Sequence, residues 1–125
     1  MKQVIHTDKA PGAIGPYSQA IKANGFVFVS GQLPVHPATG EFVAGGIREQ
    51  TRKSLENLQA ILAAGHLSFD SVVRTGVFLK NMDDFAAMNE VYAEFFTKDC
   101  PARACVQVAR LPKDALVEIE VVAAE

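Results

Sequence analysis

Residues 47–64 read IREQTRKSLENLQAILAA, and residues 72–79 read VVRTGVFL. In the first stretch Thr51, Leu55, Leu58 and Leu62 recur at the spacing of one helix face, with Ile61 beside them. Arg48, Glu49, Arg52, Lys53 and Glu56 fall on the other side, so the helix predicted over Ile47–Ala64 has one buried face. Gly65 supplies its C′ stop. The second stretch is β-branched and aromatic and reads as a strand. Asp83 then reads as an N-cap, and Phe85, Met88, Tyr92, Phe95 and Phe96 give a second amphipathic helix. Rings at helical spacing are what a core shows, so they are assigned to packing rather than to stacking on a cofactor.

On the C-terminal side, Ala104 to Leu111 alternates, with Ala104, Val106 and Val108 on one face. Leu116 to Ala123 alternates too, with Val117, Ile119 and Val121 opposite Leu116, Glu118, Glu120 and Val122. Pro112 to Ala115 reads as the turn between them. On the N-terminal side, Asn24-Gly25 separates a short run (Tyr17 to Ala23) from Phe26–Ser30, the signal of a hairpin with a type I′ turn. The order is β-β-β-α-β-α-β-β. That predicts an α+β fold over residues 1–125 as one domain, a mixed and mostly antiparallel sheet with two helices on one face. The other sheet face is then wet or covered by neighbours.

The chain has 125 residues, 49% of them apolar and 21% charged, which excludes intrinsic disorder. So high an apolar fraction on so small a domain predicts cover by another subunit. A net charge of −2 gives no basic footprint for nucleic acid. The N-terminus carries polar residues too early for a secretory h-region, and no apolar run approaches the ~20 residues of a membrane helix, so the expected location is the cytoplasm. Cys100 and Cys105 lie five apart with no Cys-x-x-Cys, and no disulfide is expected. His6, His36 and His66 show no ligand spacing, so no metal site is expected.

The chemistry-bearing residues lie near the C-terminus. Arg103 stands at the mouth of a strand, on the face of Cys105 and Gln107. Its guanidinium is a rigid fork that fits a carboxylate through two parallel hydrogen bonds, although a surface ion pair explains a lone arginine as well. Glu118 and Glu120 belong either to a solvated sheet face or to a site where a carboxylate positions and deprotonates water. Cys105 lacks a neighbouring base and reads as packing. If Leu111 and Leu116 flank a simple hairpin, Arg103 faces Ala124 and Glu118 faces Ala109. The two residues are then about 20 Å apart along the strands. Acting together, they would have to meet across a subunit interface.

Pro101-Ala102-Arg103-Ala104-Cys105-Val106-Gln107-Val108-Ala109-Arg110-Leu111, followed by Val117-Glu118-Ile119-Glu120, resembles the C-terminal signature of the Rid (YjgF) family, in its RidA branch of reactive imine/enamine deaminases. Ala13-Ile14-Gly15-Pro16-Tyr17-Ser18-Gln19-Ala20 and Val29-Ser30-Gly31-Gln32-Leu33-Pro34 resemble its two N-terminal motifs. Thr51 to Leu58 and Met82 to Asn89 resemble its two helix starts. The resemblance implies a chorismate-mutase-like fold, a homotrimer with clefts between subunits, and no cofactor or metal. It also implies hydrolysis of 2-imino acids such as 2-iminobutanoate and 2-iminopropanoate to 2-oxo acids and ammonia, which protects pyridoxal-phosphate-linked metabolism. Arg103 takes the place of the family's carboxylate-binding arginine and Glu118 that of its water-activating glutamate. Tyr17, Ser30, Gly31, Asn89 and Cys105 match the other cleft residues. The competing expectation is a small-carboxylate-binding regulatory or chaperone-like protein with the same cleft. An RNA-cleaving role reported for some relatives is disfavoured by the charge balance.

Overall fold

The computed structural model describes residues 1–125. Three strands precede the first helix: β1 (Gln3–Ile5), β2 (Ala20–Ala23) and β3 (Phe26–Gln32). Asn24 and Gly25 both take positive φ, 52° and 79°, as a type I′ turn requires, and set Ala23 opposite Phe26. Then come α1 (Ile47–Ala64), β4 (Val72–Leu79), α2 (Phe85–Phe95), β5 (Ala102–Gln107) and β6 (Val117–Ala124). The six strands form one sheet in the order β1-β2-β3-β6-β4-β5, antiparallel throughout except for the parallel β4–β5 pair.

Both helices pack on the same face. Leu55, Leu58, Ile61 and Leu62 of α1 are fully buried against Val27, Val77, Val117, Ile119 and Val121 of the sheet. Each such side chain contributes about 1.5–3 kcal/mol on burial. Arg48–Glu90 (3.0 Å) and Arg52–Glu94 (2.8 Å) tie α1 to α2 along their exposed edges. The N-terminus of α1 is closed by Glu49, whose carboxylate accepts the Gly46 N–H at 2.8 Å.

Four sequence expectations need correction. The hairpin between the last two strands does not form, because β4 lies between β5 and β6. Arg103 pairs in register with Thr75, and Glu118 with Phe78. The strand expected over Ala104 to Leu111 runs instead from Ala102 to Gln107, and the chain then crosses the end of β4, where Val108 N–H donates to Leu79 O and Lys80 N–H to Leu116 O. The cap before α2 is Asn81, whose side chain accepts the Asp83 N–H at 2.9 Å in a 3₁₀ turn leading into the helix. At the end of α1 the left-handed residue is His66 (φ 63°), not Gly65 (φ −91°). His66 N–H donates to Ala63 O and Leu67 N–H to Leu62 O, the two bonds of a Schellman motif. Gly65 answers a packing demand, since a Cβ there would lie 3.0 Å from Ile5 Cδ1 of β1.

Opposite the helices the sheet face is open. Its outward rows carry Val4, Phe26, Phe28 and Val106, each of them exposed. Glu118 and Glu120 share this face with them.

Candidate functional site

Strand parity separates the candidate residues into two groups. On β6, Val117, Ile119, Val121 and Ala123 point into the core, so Glu118 and Glu120 point to the open face. A groove of about 820 Å³ on that side is lined by Tyr17, Ser30, Gly31 and Glu118, with Glu120 beside them. On β5, Arg103 and Cys105 lie in register with Thr75 and Val77, which are buried under the helices, so they point to the helix side. Asn89 of α2 joins them there.

In the open-face group, the Ser30 hydroxyl donates to Ser18 O at 2.6 Å and its N–H to Gln19 O at 2.9 Å, which ties β3 to the segment carrying Tyr17. Buried Gln19 anchors that segment further, accepting the Thr7 N–H and donating to Thr7 O, Ala10 O and Pro11 O. Tyr17 is half exposed, and its hydroxyl accepts the Ile14 N–H at 3.4 Å. A Cβ on Gly31 would lie 2.8 Å from Glu118 Oε2. The bare Cα of Gly31 makes room for the Glu118 carboxylate. Burial, and then the nearby Glu120 charge, pushes the Glu118 carboxyl above the usual glutamate range.

In the helix-side group, Arg103 Nη1 donates to Asn89 Oδ1 at 2.7 Å. The guanidinium carbon lies 4.8 Å from the Tyr92 ring centroid and 5.5 Å from that of Phe85. Arg103 takes part in none of the chain's six ion pairs. It is a half-buried cation held by neutral groups, with the rest of its fork free for an anion. Burial pushes the Cys105 thiol up, against the opposing pull of Arg103, so it stays a thiol at neutral pH. Sequence reasoning assigned Phe85 and Tyr92 to the core alone. A polar Asn89 in their apolar stripe, at i+4 from Phe85 and i+7 counted from Phe85 to Tyr92, was the one signal that this stripe does more.

No group of three or more His, Cys, Asp or Glu side chains lies close enough together to hold a metal ion. No helix is long and apolar enough to cross a membrane.

The chain is thus an α+β protein with an open apolar sheet face and, on the helix side, an arginine without an ion-pair partner. The family model described as Endoribonuclease L-PSP matches residues 7–125. A RutC family protein of Pyrococcus horikoshii is 58% identical over 123 residues, covering 98% of each chain. "Putative reactive intermediate deaminase TdcF" of Escherichia coli is 50% identical over 126 residues, covering 98% of this chain and 97% of its own. The crystal structure of E. coli TdcF with bound serine superposes with a TM-score of 0.94 at 48% identity, covering 98% of both chains. RidA from an Antarctic Psychrobacter gives 0.94 at 45% identity, covering 98% of this chain and 99% of its own. The chain belongs to the Rid (YjgF, Endoribonuclease L-PSP) family, whose members include reactive intermediate deaminases.

Proposed function

We propose that this chain hydrolyses small 2-imino acids, 2-iminobutanoate and 2-iminopropanoate among them, to 2-oxo acids and ammonia in the cytoplasm, needing no cofactor. The reaction takes place between adjacent copies of a homotrimer. The observation that carries the reading is Arg103, a guanidinium fixed by Asn89 and two rings but lacking a carboxylate partner. Such a group is prepared for a small carboxylate, and the TdcF relative is crystallised with serine, which has one.

Arg103 and Glu118 lie on opposite faces of one sheet, so a single chain cannot put both on one small molecule. Arg103, Asn89 and Cys105 of one copy therefore meet Tyr17, Ser30, Gly31 and Glu118 of the next. The exposed Phe28 and Val106 of the open face supply apolar surface for that contact. Arg103 holds the substrate carboxylate and sets the C=N carbon before Glu118. Glu118 takes a proton from water as the water oxygen bonds to that carbon, and the C=N pair moves to nitrogen. Glu118 returns that proton to nitrogen and then takes the proton of the new hydroxyl; the freed oxygen pair closes the C=O bond as the C–N bond breaks, and ammonia leaves the 2-oxo acid. A protonated imine is already electrophilic, so orientation supplies most of what the reaction needs. Glu118 and Glu120 in the groove repel a phosphate backbone, which disfavours RNA there.

The test generates 2-iminobutanoate in situ with threonine dehydratase and follows its decay. The protein is expected to speed the decay, and Arg103→Ala to abolish that effect. If the wild type leaves the decay unchanged yet binds 2-oxobutanoate, the protein is a small-carboxylate-binding regulatory or chaperone-like one and the enzymatic reading is wrong.

A further inference from the structure

Arg103 has no counter-anion, yet its position is defined. Phe85, Asn89 and Tyr92 form one stripe of α2, and all three touch it: Asn89 through a 2.7 Å hydrogen bond, the two rings with the guanidinium over them. Tyr92 is itself pinned. The residue is 7% exposed, and its hydroxyl shares a 2.8 Å hydrogen bond with Thr75 Oγ1. Thr75 is fully buried and is the β4 register partner of Arg103. The contacts thus close a loop from Arg103 across the sheet to Thr75, up to Tyr92, and back over Arg103.

We infer that Tyr92 is a positioning residue for Arg103, its ring face orienting the guanidinium while the Thr75 hydroxyl fixes the ring. The inference rests on the proposed reaction and deepens it. A carboxylate in the same place would also fix the arginine, but it would cancel the charge and occupy N–H donors that the substrate needs. A ring face attracts the cation through its quadrupole and leaves those donors free. Asn89, a neutral acceptor, takes one N–H without removing the charge. Tyr92 therefore holds the fork in place without weakening its pull on an anion.

Two measurements test this. In the first, Tyr92→Leu removes the ring face and Tyr92→Phe keeps it while losing the hydroxyl. Tyr92→Leu is expected to raise KM for 2-iminobutanoate about tenfold, or about 1.4 kcal/mol, with kcat changed much less, and Tyr92→Phe to retain a KM near wild type. A wild-type KM in Tyr92→Leu overturns the inference, as does an equal loss in Tyr92→Phe. In the second, which needs no substrate and no Tyr92 variant, the Arg103 Nε–H and Hδ resonances are assigned in the wild-type protein through their loss in Arg103→Lys. Ring currents are expected to displace them upfield, and ordinary arginine positions overturn the inference even if Tyr92→Leu fails to fold. Arg103→Ala, assayed in parallel, separates the two failures. A wild type that leaves the decay of 2-iminobutanoate unchanged removes the proposed reaction, and full activity in Arg103→Ala removes the carboxylate-holding role of Arg103. Activity lost in Arg103→Ala, beside a wild-type KM in Tyr92→Leu, removes only the role of Tyr92.

Discussion

Gly31 and Glu118 are matched through what Gly31 lacks. Because a Cβ at Gly31 would fall 2.8 Å from Glu118 Oε2, Gly31→Ala must displace that carboxylate. The displaced atoms end a flexible side chain, so the fold is expected to absorb the change. Steady-state kinetics should then show kcat reduced about 10- to 100-fold, the scale of a catalytic group moved by about 1 Å, with the thermal midpoint nearly unchanged. Glu118 also predicts a pH dependence. Its carboxyl is raised above the ordinary value of 4.5, first by burial and then by Glu120. Between the unfolded and folded pKa values the folded chain binds more protons than the unfolded one, so this residue's contribution to stability is present at low pH and is lost as pH rises through the folded value. Glu118→Gln should therefore melt higher than wild type at pH 8 and converge with it near pH 4. Glu120→Gln should move the acid limb of kcat/KM to lower pH, because one of the two causes is gone. Sequence alone placed Glu118 and Glu120 on one face by parity. It did not reveal that Gly31 yields space to one of them, because that contact joins β3 to β6 across a bulge.

At the scale of elements, both helices and the hairpin at Asn24-Gly25 were legible because their determinants are local: a 3.6-residue period in α1, and two positive φ values in the turn. Parity within β5 was legible too, and it placed Arg103 with Cys105 against Ala104 and Val106. Which side met the helices was not legible. The apolar Val106 is exposed, and the arginine lies under α2, because Phe85, Asn89 and Tyr92 accommodate it there. Asn57 shows a similar limit. It sits inside the buried stripe of α1, 1% exposed, and donates to Leu33 O and Val35 O, fastening the segment after β3 at the rim of the groove. Asn57→Ala leaves Val35 O without a partner, while Leu33 O keeps the Val35 N–H at 2.9 Å, and the change is expected to cost about 1–3 kcal/mol, read as a lower denaturation midpoint in urea.

At the scale of the whole molecule, the separation of Arg103 from Glu118 by the thickness of the sheet predicts complementation. Arg103→Ala and Glu118→Ala are each expected to be inactive alone. Co-refolded in equal amounts, they should recover about a quarter of wild-type activity, since in a closed ring one interface in four joins an intact arginine to an intact glutamate. Light scattering of the same samples should give about 40 kDa, three times the chain's 13.4 kDa. No recovery, or a mass near that of one chain, overturns the shared site. Sequence by itself determined the order of elements, the buried face of each helix and the alternation of each strand, because periods of 3.6 and 2 are set by near neighbours along the chain. Only the tertiary structure decided that β4 enters between β5 and β6. Alternation says which way a side chain points but not which strand lies beside it. The near-continuous apolar run Val77-Phe78-Leu79 is best buried in the middle of the sheet, and placing it there puts the arginine and the glutamate on opposite sides of one chain.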